Sequence, residues 1–406
     1  RSTLFPYTTL FRSIQLYAYR VDLPGDFRVA DENECLELQM SILERILENA
    51  YAAIDDNPNF RTFLDTQGFG RKDDQIYGII LKVYNSARCH LLPEDWLEKC
   101  IQMYAVDDVT DISETVWGQY LISDLKRCLK LHCDALRNCI AQAQGADGME
   151  KPIGLFRSVV SQLENLQSCE TWDDICKNSV IDYGRLTFPK QVSDSDLVPK
   201  MKAIRDACKE DLAKKLRRFV NDSKQMLDDI RQSGTSLNGL ITLCKEFSAA
   251  YSKAKRSRRV ADFGDLEHVT LDLLVGKKRS GPTALAKEIG ARFREVMVDE
   301  YQDSNEVQDA IFGALTSEKN NCFMVGDVKQ SIYQFRLADP GIFLDKYNAY
   351  SFSSEAEAGQ GRKVLLSNNF RSSGAVIEAV NDVFSQCMSP ELGGLVYGPD
   401  EMLYEG

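Results

Sequence analysis

Histidine is scarce in this chain: His90, His132 and His268 stand far apart among 406 residues, with no His-x-x-x-His. Isolated imidazoles cannot form the multi-ligand clusters in which this side chain usually holds a metal, and no chemistry is assigned to them. The twelve cysteines include no Cys-x-x-Cys pair. The densest group, Cys128, Cys133 and Cys139, falls on one helical stretch at spacings that suit no common zinc site. Reduced, buried thiols of a cytosolic protein are the expected reading, with no iron–sulfur site built by this chain alone. No run approaches the roughly 18 consecutive apolar residues that suggest a membrane span. A phosphate-binding Gly-x-x-x-x-Gly-Lys-Ser/Thr loop is also missing; Gly276-Lys-Lys-Arg-Ser-Gly281 lacks the Gly-Lys-Ser/Thr close that cradles phosphate. There is no fixed repeat and no low-complexity tract. A net charge of −12 opposes strong non-specific attraction of nucleic acid to the chain as a whole, while leaving room for a local groove. The single dense basic run, Lys253-Ala-Lys-Arg-Ser-Arg-Arg259, reads first as a solvated helix end, where cations are favoured. Contact with a nucleic-acid backbone is its alternative.

Residues 1–13 (RSTLFPYTTLFRS) nearly repeat themselves, show no helical or strand period, and lack the basic start and apolar stretch of a secretion signal. They are set aside as non-native, and the chain is expected to be a fragment of a larger protein. From about 31 to 258 the pattern is helical nearly throughout. Leu36, Met40, Leu43, Ile46 and Leu47 form one apolar stripe; Leu121, Leu125, Leu129 and Leu136 form another; Leu212, Leu216, Val220, Met226, Leu227 and Ile230 form a third. Loop signals fall at Asp56-Asn-Pro58, Gln67-Gly-Phe-Gly70, Leu92-Pro93, 145–152 and 188–199. From 291 onward short Val/Met/Phe-rich strands at 296–298, 322–325 and 363–366 alternate with helices near 305–315 and 373–388. Ser304 and Ser373 are the expected N-caps. Such alternation predicts a parallel α/β sheet.

The most informative residues lie there. Val298-Asp-Glu-Tyr-Gln-Asp303 delivers two adjacent carboxylates, Asp299 and Glu300, to a strand end. A hard cation takes oxygen ligands and binds nucleotide phosphates through only one or two protein carboxylates. The neighbouring carboxylate is then free to orient an attacking water. An Asp-Glu pair alone is a common solvated turn; its weight here comes from Gly326-Asp-Val-Lys-Gln-Ser-Ile-Tyr-Gln-Phe-Arg336, which follows the next strand. Gln330 has an amide able to donate and accept without adding charge. Tyr333, Phe335 and Arg336 place two rings and a cation directly after it, the residue types that stack on bases and meet phosphates; packing of one ring in the core is the competing role.

These two blocks resemble motifs II and III of the UvrD-like superfamily 1 helicases. Leu366-Ser-Asn-Asn-Phe-Arg-Ser-Ser373 resembles motif IV, and Asp262-Phe-Gly-Asp-Leu266 resembles the segment before motif II. Four blocks in the family's order make the resemblance specific. The helical insert and Phe27-Arg-Val-Ala-Asp-Glu32 are most similar to the A-subunit type of the bacterial ATP-dependent helicase/nuclease. The resemblance implies an α/β fold: a partial RecA-like P-loop NTPase motor domain with a large all-helical insertion. On that reading 14–30 is a short piece of the core, 31–258 the helical accessory insertion, and 259–406 the later part of the first motor domain. It further implies ATP and Mg²⁺ as cofactors, Asp299 on the metal, Glu300 as general base, and Gln330 and Arg371 on the γ-phosphate. Tyr333, Phe335 and Arg336 would meet DNA. Many relatives carry Trp where this chain has Phe335, so stacking there is expected to be weaker.

The implied function is ATP-dependent 3′-to-5′ DNA unwinding in double-strand-break repair and recombination, on single-stranded and duplex DNA. A B-type partner subunit, a nuclease on the same polypeptide, a cytoplasmic location and no membrane belong to the same reading. Without a phosphate loop the fragment alone is expected to bind ATP feebly and hydrolyse almost none. Two alternatives stay open: another UvrD-like helicase, stand-alone or RecB-type, or a non-catalytic remnant that binds DNA or a partner.

Overall fold

The computed structural model describes residues 17, 20–21, 26–67, 74–189, 196–331, 337–390 and 392–406. The chain divides into two compact units. One comprises Arg1–Ala53, Phe69–Leu97 and Ile241–Gly406, the other Ile54–Gly68 and Glu98–Leu240. This division cuts the chain elsewhere than at 258: residues 31–53, 69–97 and 241–258 belong to the same unit as the C-terminal part.

The second unit is all-helical among its described residues. Val116–Ala143, Glu150–Ser168 and Leu197–Leu216 are its long members. They enclose a core in which Leu125, Leu129, Leu136, Leu163, Leu166 and Leu212 are buried. Leu125, Leu129 and Leu136 of the second predicted stripe face inward; Leu121 is only partly covered, and Ile122 takes the buried position. The third stripe is interrupted. The helix ends at Leu216 and the next begins at Ser223, leaving Val220 exposed while Phe219 packs against Trp172 at 4.2 Å between ring centroids. Two polar contacts fix the break: Trp172 Nε1 donates to the Asn221 carbonyl (2.9 Å), and the Asp173 carboxylate accepts from the Ser223 amide (2.7 Å). The pattern of apolar residues cannot foresee such a break, because its partners lie some 50 positions upstream.

In the first unit the helix Glu32–Ala52 is capped by Asp31, whose carboxylate accepts from the Glu34 amide. Its buried face is Leu38, Ile42, Leu43, Ile46 and Leu47. The predicted stripe therefore fails at its first member, since Leu36 is exposed. Strand β1 (Arg28–Val29) pairs in parallel with β2 (Val260–Ala261), which follows the 35-residue helix Ser223–Ser257. Strand β3 (Val296–Val298) pairs in parallel with β4 (Cys322–Met324), β5 (Ser351–Phe352) with β6 (Arg362–Lys363), and β7 (Asn368–Asn369) with β8 (Tyr404–Glu405). The described strands thus form four separate two-stranded parallel ladders, in a mostly helical chain, rather than one continuous sheet. The expected strand 363–366 shrinks to Arg362–Lys363: Val364 and Leu366 lie exposed and join no ladder. Helices Phe263–Leu274, Ala284–Ala291 and Glu306–Thr316 enclose the core of Leu266, Leu271, Leu285, Val307 and Ile311.

Two N-cap expectations resolve differently. Asn305, not Ser304, caps Glu306–Thr316, its side chain accepting from the Gln308 amide while Gln308 reaches back. Ser373 does precede Gly374–Cys387, but its hydroxyl makes no cap bond; Glu405 accepts from the Gly374 amide instead (3.2 Å).

His268 illustrates how burial decides a titration. Its Nε2 lies 2.8 Å from the Arg88 carbonyl, so it donates there as neutral imidazole. Burial, reinforced by the Arg88 charge, pushes its pKa down to about 3. A folded-state value below the unfolded one of about 6.5 means the unfolded chain binds the extra proton. This contribution to stability is complete above pH 6.5 and is lost as pH falls toward 3, at up to about 1.4 kcal/mol per unit. His268→Gln keeps an N–H for Arg88 but does not titrate. Unfolding free energies at pH 7 and pH 5 are expected to differ less in that variant than in the parent.

Candidate functional site

Strands β3 and β4 run side by side in register, Val296 opposite Cys322 and Val298 opposite Met324. Parallel pairing brings both C-terminal ends to the same edge, and the two polar blocks emerge there together. The Val325 amide donates to the Val298 carbonyl and the Tyr301 amide to the Val325 carbonyl, each at 2.9 Å. Between them Glu300 adopts a left-handed backbone (φ 49°, ψ 46°), a conformation costing a residue with a Cβ about 1–2 kcal/mol. The cross-strand bonds on either side hold it.

Asp299 and Glu300 are both exposed at this edge. The Glu300 amide donates to Asp299 Oδ1 at 3.0 Å. Glu300 Oε2 accepts from Gln302 Nε2 at 2.6 Å, and Gln302 Oε1 accepts from the Asp327 amide at 3.1 Å. Gln302 itself is 1% exposed. One buried side chain therefore ties the carboxylate pair to the Gly-Asp turn. A Cβ at position 326 would lie 2.5 Å from Gln302 Oε1, so a larger residue there would push the Gln302 amide aside. Gln302 lies inside the block Val298–Asp303, yet nothing in the sequence marked it; its offset of two residues from Glu300 is the only signal.

The turn continues through Val328–Gln330. Asp327 caps it, accepting from the Lys329 amide (3.0 Å), while its other oxygen accepts from Gln330 Nε2 (3.0 Å). Lys329 pairs with both Asp327 (2.9 Å) and Glu401 (3.2 Å). Burial alone would lower the Lys329 pKa, but these two carboxylates outweigh it and raise the value. Asp303 sits close enough to Glu300 to sense its charge: burial first, then that negative neighbour, raises the Asp303 pKa. Its Oδ1 is buried without a hydrogen-bond partner among the described residues. Tyr301 is buried, donates to Asp309, and has Lys346 above its ring at 5.8 Å; Lys346 pairs with Asp309 at 2.9 Å.

Arg371 is held on a different ladder. Asn369 at the end of β7 accepts from the Arg371 and Ser372 amides, each at 2.9 Å, and so shapes the turn. The Arg371 guanidinium is exposed, and the hydrogen bonds that join the first two loops do not extend to it. Tyr333, Phe335 and Arg336 lie outside the described residues. Among the described residues no group of three or more His, Cys, Asp or Glu side chains is gathered to hold a metal. The donor set at the β3 edge is nonetheless of the right kind for Mg²⁺, which keeps water and phosphate ligands and asks one or two carboxylates of the protein. Asp299 offers a solvent-facing carboxylate, and the unpartnered Asp303 oxygen lies in the same turn.

Two other singled-out segments make structural contacts. Asp262 caps Phe263–Leu274 in a reciprocal capping box with Asp265. In the basic run Lys255 is 3% exposed and pairs with Asp262 and Asp265, leaving only Lys253, Arg256, Arg258 and Arg259 on the surface. The twelve cysteines are free thiols, with burial pushing Cys208 up to about 11 and Cys244 up to about 12. Among the described residues no helix is long and apolar enough to cross a membrane.

The profile of the UvrD/REP helicase N-terminal domain matches residues 9–351, so the chain belongs to that family; the match begins within the segment 1–13 set aside above. Among curated proteins it is similar to the A subunit of the ATP-dependent helicase/nuclease of Pelotomaculum thermopropionicum, 36% identical over 97% of this chain and 32% of the relative. The A subunits of the same name from Clostridium kluyveri (33%, covering 95% of this chain and 31% of the relative) and Bacillus cereus (34%, covering 97% and 32%) are similar too. The chain spans about a third of the length of these relatives.

Proposed function

We propose that the chain is part of an ATP-dependent 3′-to-5′ DNA helicase, of the A-subunit type of a bacterial helicase/nuclease. In it, 259–406 and the piece 14–30 would belong to a RecA-like motor domain and 31–258 would be its helical accessory insertion, of which 54–68 and 98–240 form the separate compact unit. The observation that carries this reading is the hydrogen-bonded joining of Asp299–Glu300 to the Gly326–Gln330 turn through Gln302. A second observation supports the larger sheet. Met297 and Phe323, directly paired across β3 and β4, are 66% and 57% exposed, whereas parallel strands are normally covered on both faces.

On this reading Asp299 would hold Mg²⁺, which when bound offsets the charge of the ATP phosphates. Glu300 orients the attacking water and accepts its proton. Gln330 and Arg371 sense the γ-phosphate, Arg371 with a permanently charged planar fork suited to it. Tyr333, Phe335 and Arg336 follow Gln330 directly and grip the strand, so loss of the phosphate loosens the grip. DNA-end processing in double-strand-break repair, a B-type partner subunit, a nuclease on the same polypeptide and a cytoplasmic location complete the proposal. The 406 residues by themselves would be inactive for want of a phosphate loop.

The test is Phe335→Ala in the full-length polypeptide. Base stacking is worth about 1–3 kcal/mol per ring, so single-strand affinity is expected to fall roughly 5- to 150-fold, with loss of DNA-stimulated ATP hydrolysis. Unchanged values for both would make this ring part of the core and remove the strand-gripping role.

A further inference from the structure

The hydrogen bonds at the β3–β4 edge form an unbroken relay. Gln330 Nε2 donates to the Asp327 carboxylate (3.0 Å), the Asp327 amide donates to Gln302 Oε1 (3.1 Å), and Gln302 Nε2 donates to Glu300 Oε2 (2.6 Å). The orientation of the Gln302 amide is dictated by its partners. A carboxylate only accepts and a backbone N–H only donates, so a flipped amide would lose both bonds. Gln302 is almost wholly buried, and its oxygen packs where a Cβ at position 326 would otherwise sit, so the side chain is held close to the turn. Glu300, by contrast, is exposed and sits on a left-handed backbone, and among the described residues this amide is the side-chain donor to its carboxylate.

We propose that Gln302 is a positioning residue that aims the Glu300 carboxylate and makes that aim depend on the conformation of the Gly326–Gln330 turn. The proposal rests on the reading of Glu300 as general base and adds how that base is controlled. When the turn shifts, the Asp327 amide carries the Gln302 side chain with it. The carboxylate then leaves the line of attack. Occupancy of the residues just beyond Gln330 would thereby reach the hydrolytic step through one buried side chain. Misplacing a reacting group by about 1 Å can cost roughly 10²-fold in rate.

Two variants in the full-length polypeptide test this. Gln302→Met fills the same volume and removes both hydrogen bonds. It is expected to lower DNA-stimulated kcat by about 10- to 100-fold while KM for ATP stays within about twofold, the pattern of a lost transition-state interaction. Gln302→Glu keeps an acceptor for the Asp327 amide but sets a carboxylate against Glu300. Two carboxylates sharing a site raise the pKa of one of them, so the acid limb of the kcat–pH profile is expected to move up by about one unit or more. A merely structural glutamine would, as Gln302→Met, lower stability without this split between kcat and KM. Glu300→Gln serves as the reference. If it is inactive while both Gln302 variants keep wild-type kcat and pH profile, the positioning role is overturned and the base reading stands. If Glu300→Gln itself turns over near normally, both fall.

Discussion

Glu300→Gln in the full-length polypeptide is expected to abolish ATP hydrolysis and spare ATP binding. A positioned general base contributes about 10²- to 10⁴-fold, and an amide cannot accept the proton of the attacking water. The substitution is nearly isosteric. Its new carbonyl oxygen can still accept from Gln302 Nε2, as Glu300 Oε2 does at 2.6 Å, so the turn should hold its shape. Asp299, the residue assigned to Mg²⁺, is untouched. Single-turnover hydrolysis should therefore collapse while a nucleotide-binding titration matches the parent. Turnover within a few-fold of wild type, on the scale of the 10²-fold loss expected for a base, would remove Glu300 from that role.

Lys255→Met is expected to produce the largest loss of stability. The Lys255 side chain is 3% exposed, its Nζ lies 2.6 Å from Asp262 and 2.6 Å from Asp265, and it sits 4.1 Å above the Tyr251 ring. Burial raises the Asp262 pKa, but the Lys255 charge outweighs that and holds the group lower than usual. With the cation gone, two carboxylates face each other in a poorly solvated site, with Arg88 at 3.3 Å from Asp265 as remaining relief. Removing one partner of a buried pair costs about 3–5 kcal/mol. The same carboxylates cap Phe263–Leu274, so the start of that helix should weaken as well. Arg258→Ala, a few residues along the same basic run but exposed, should change stability by less than about 0.5 kcal/mol. Denaturant midpoints for the two variants provide the comparison; equal small shifts would mean the buried cluster contributes nothing.

That contrast shows what a run of like charges hides. Seven residues from Lys253 to Arg259 read as one basic surface, yet one of the cations is folded inward by carboxylates that follow it in sequence. The helix Glu32–Ala52 teaches the same lesson for apolar residues. Leu36 fits the stripe by spacing and is exposed, because the buried face is set by what packs against it. The strand expected at 363–366 fails for the same reason, since an extended segment becomes a strand only where another supplies its hydrogen bonds.

The sequence by itself determined the two polar blocks on which the proposed chemistry rests, a carboxylate pair after one apolar strand and a Gly-Asp turn after the next, and the helical character of most of the chain. These are local properties, fixed by residue type and spacing. Only the tertiary structure decided how the pieces meet. Parallel pairing of β3 with β4 brings the two turns to one edge, and Gln302, silent in the sequence, becomes the link between them. Lys329 joins the second turn to Glu401, more than 70 residues away, for the same physical reason. A hydrogen bond or ion pair depends on two groups a few ångströms apart in space, and spacing along the chain carries no record of that distance.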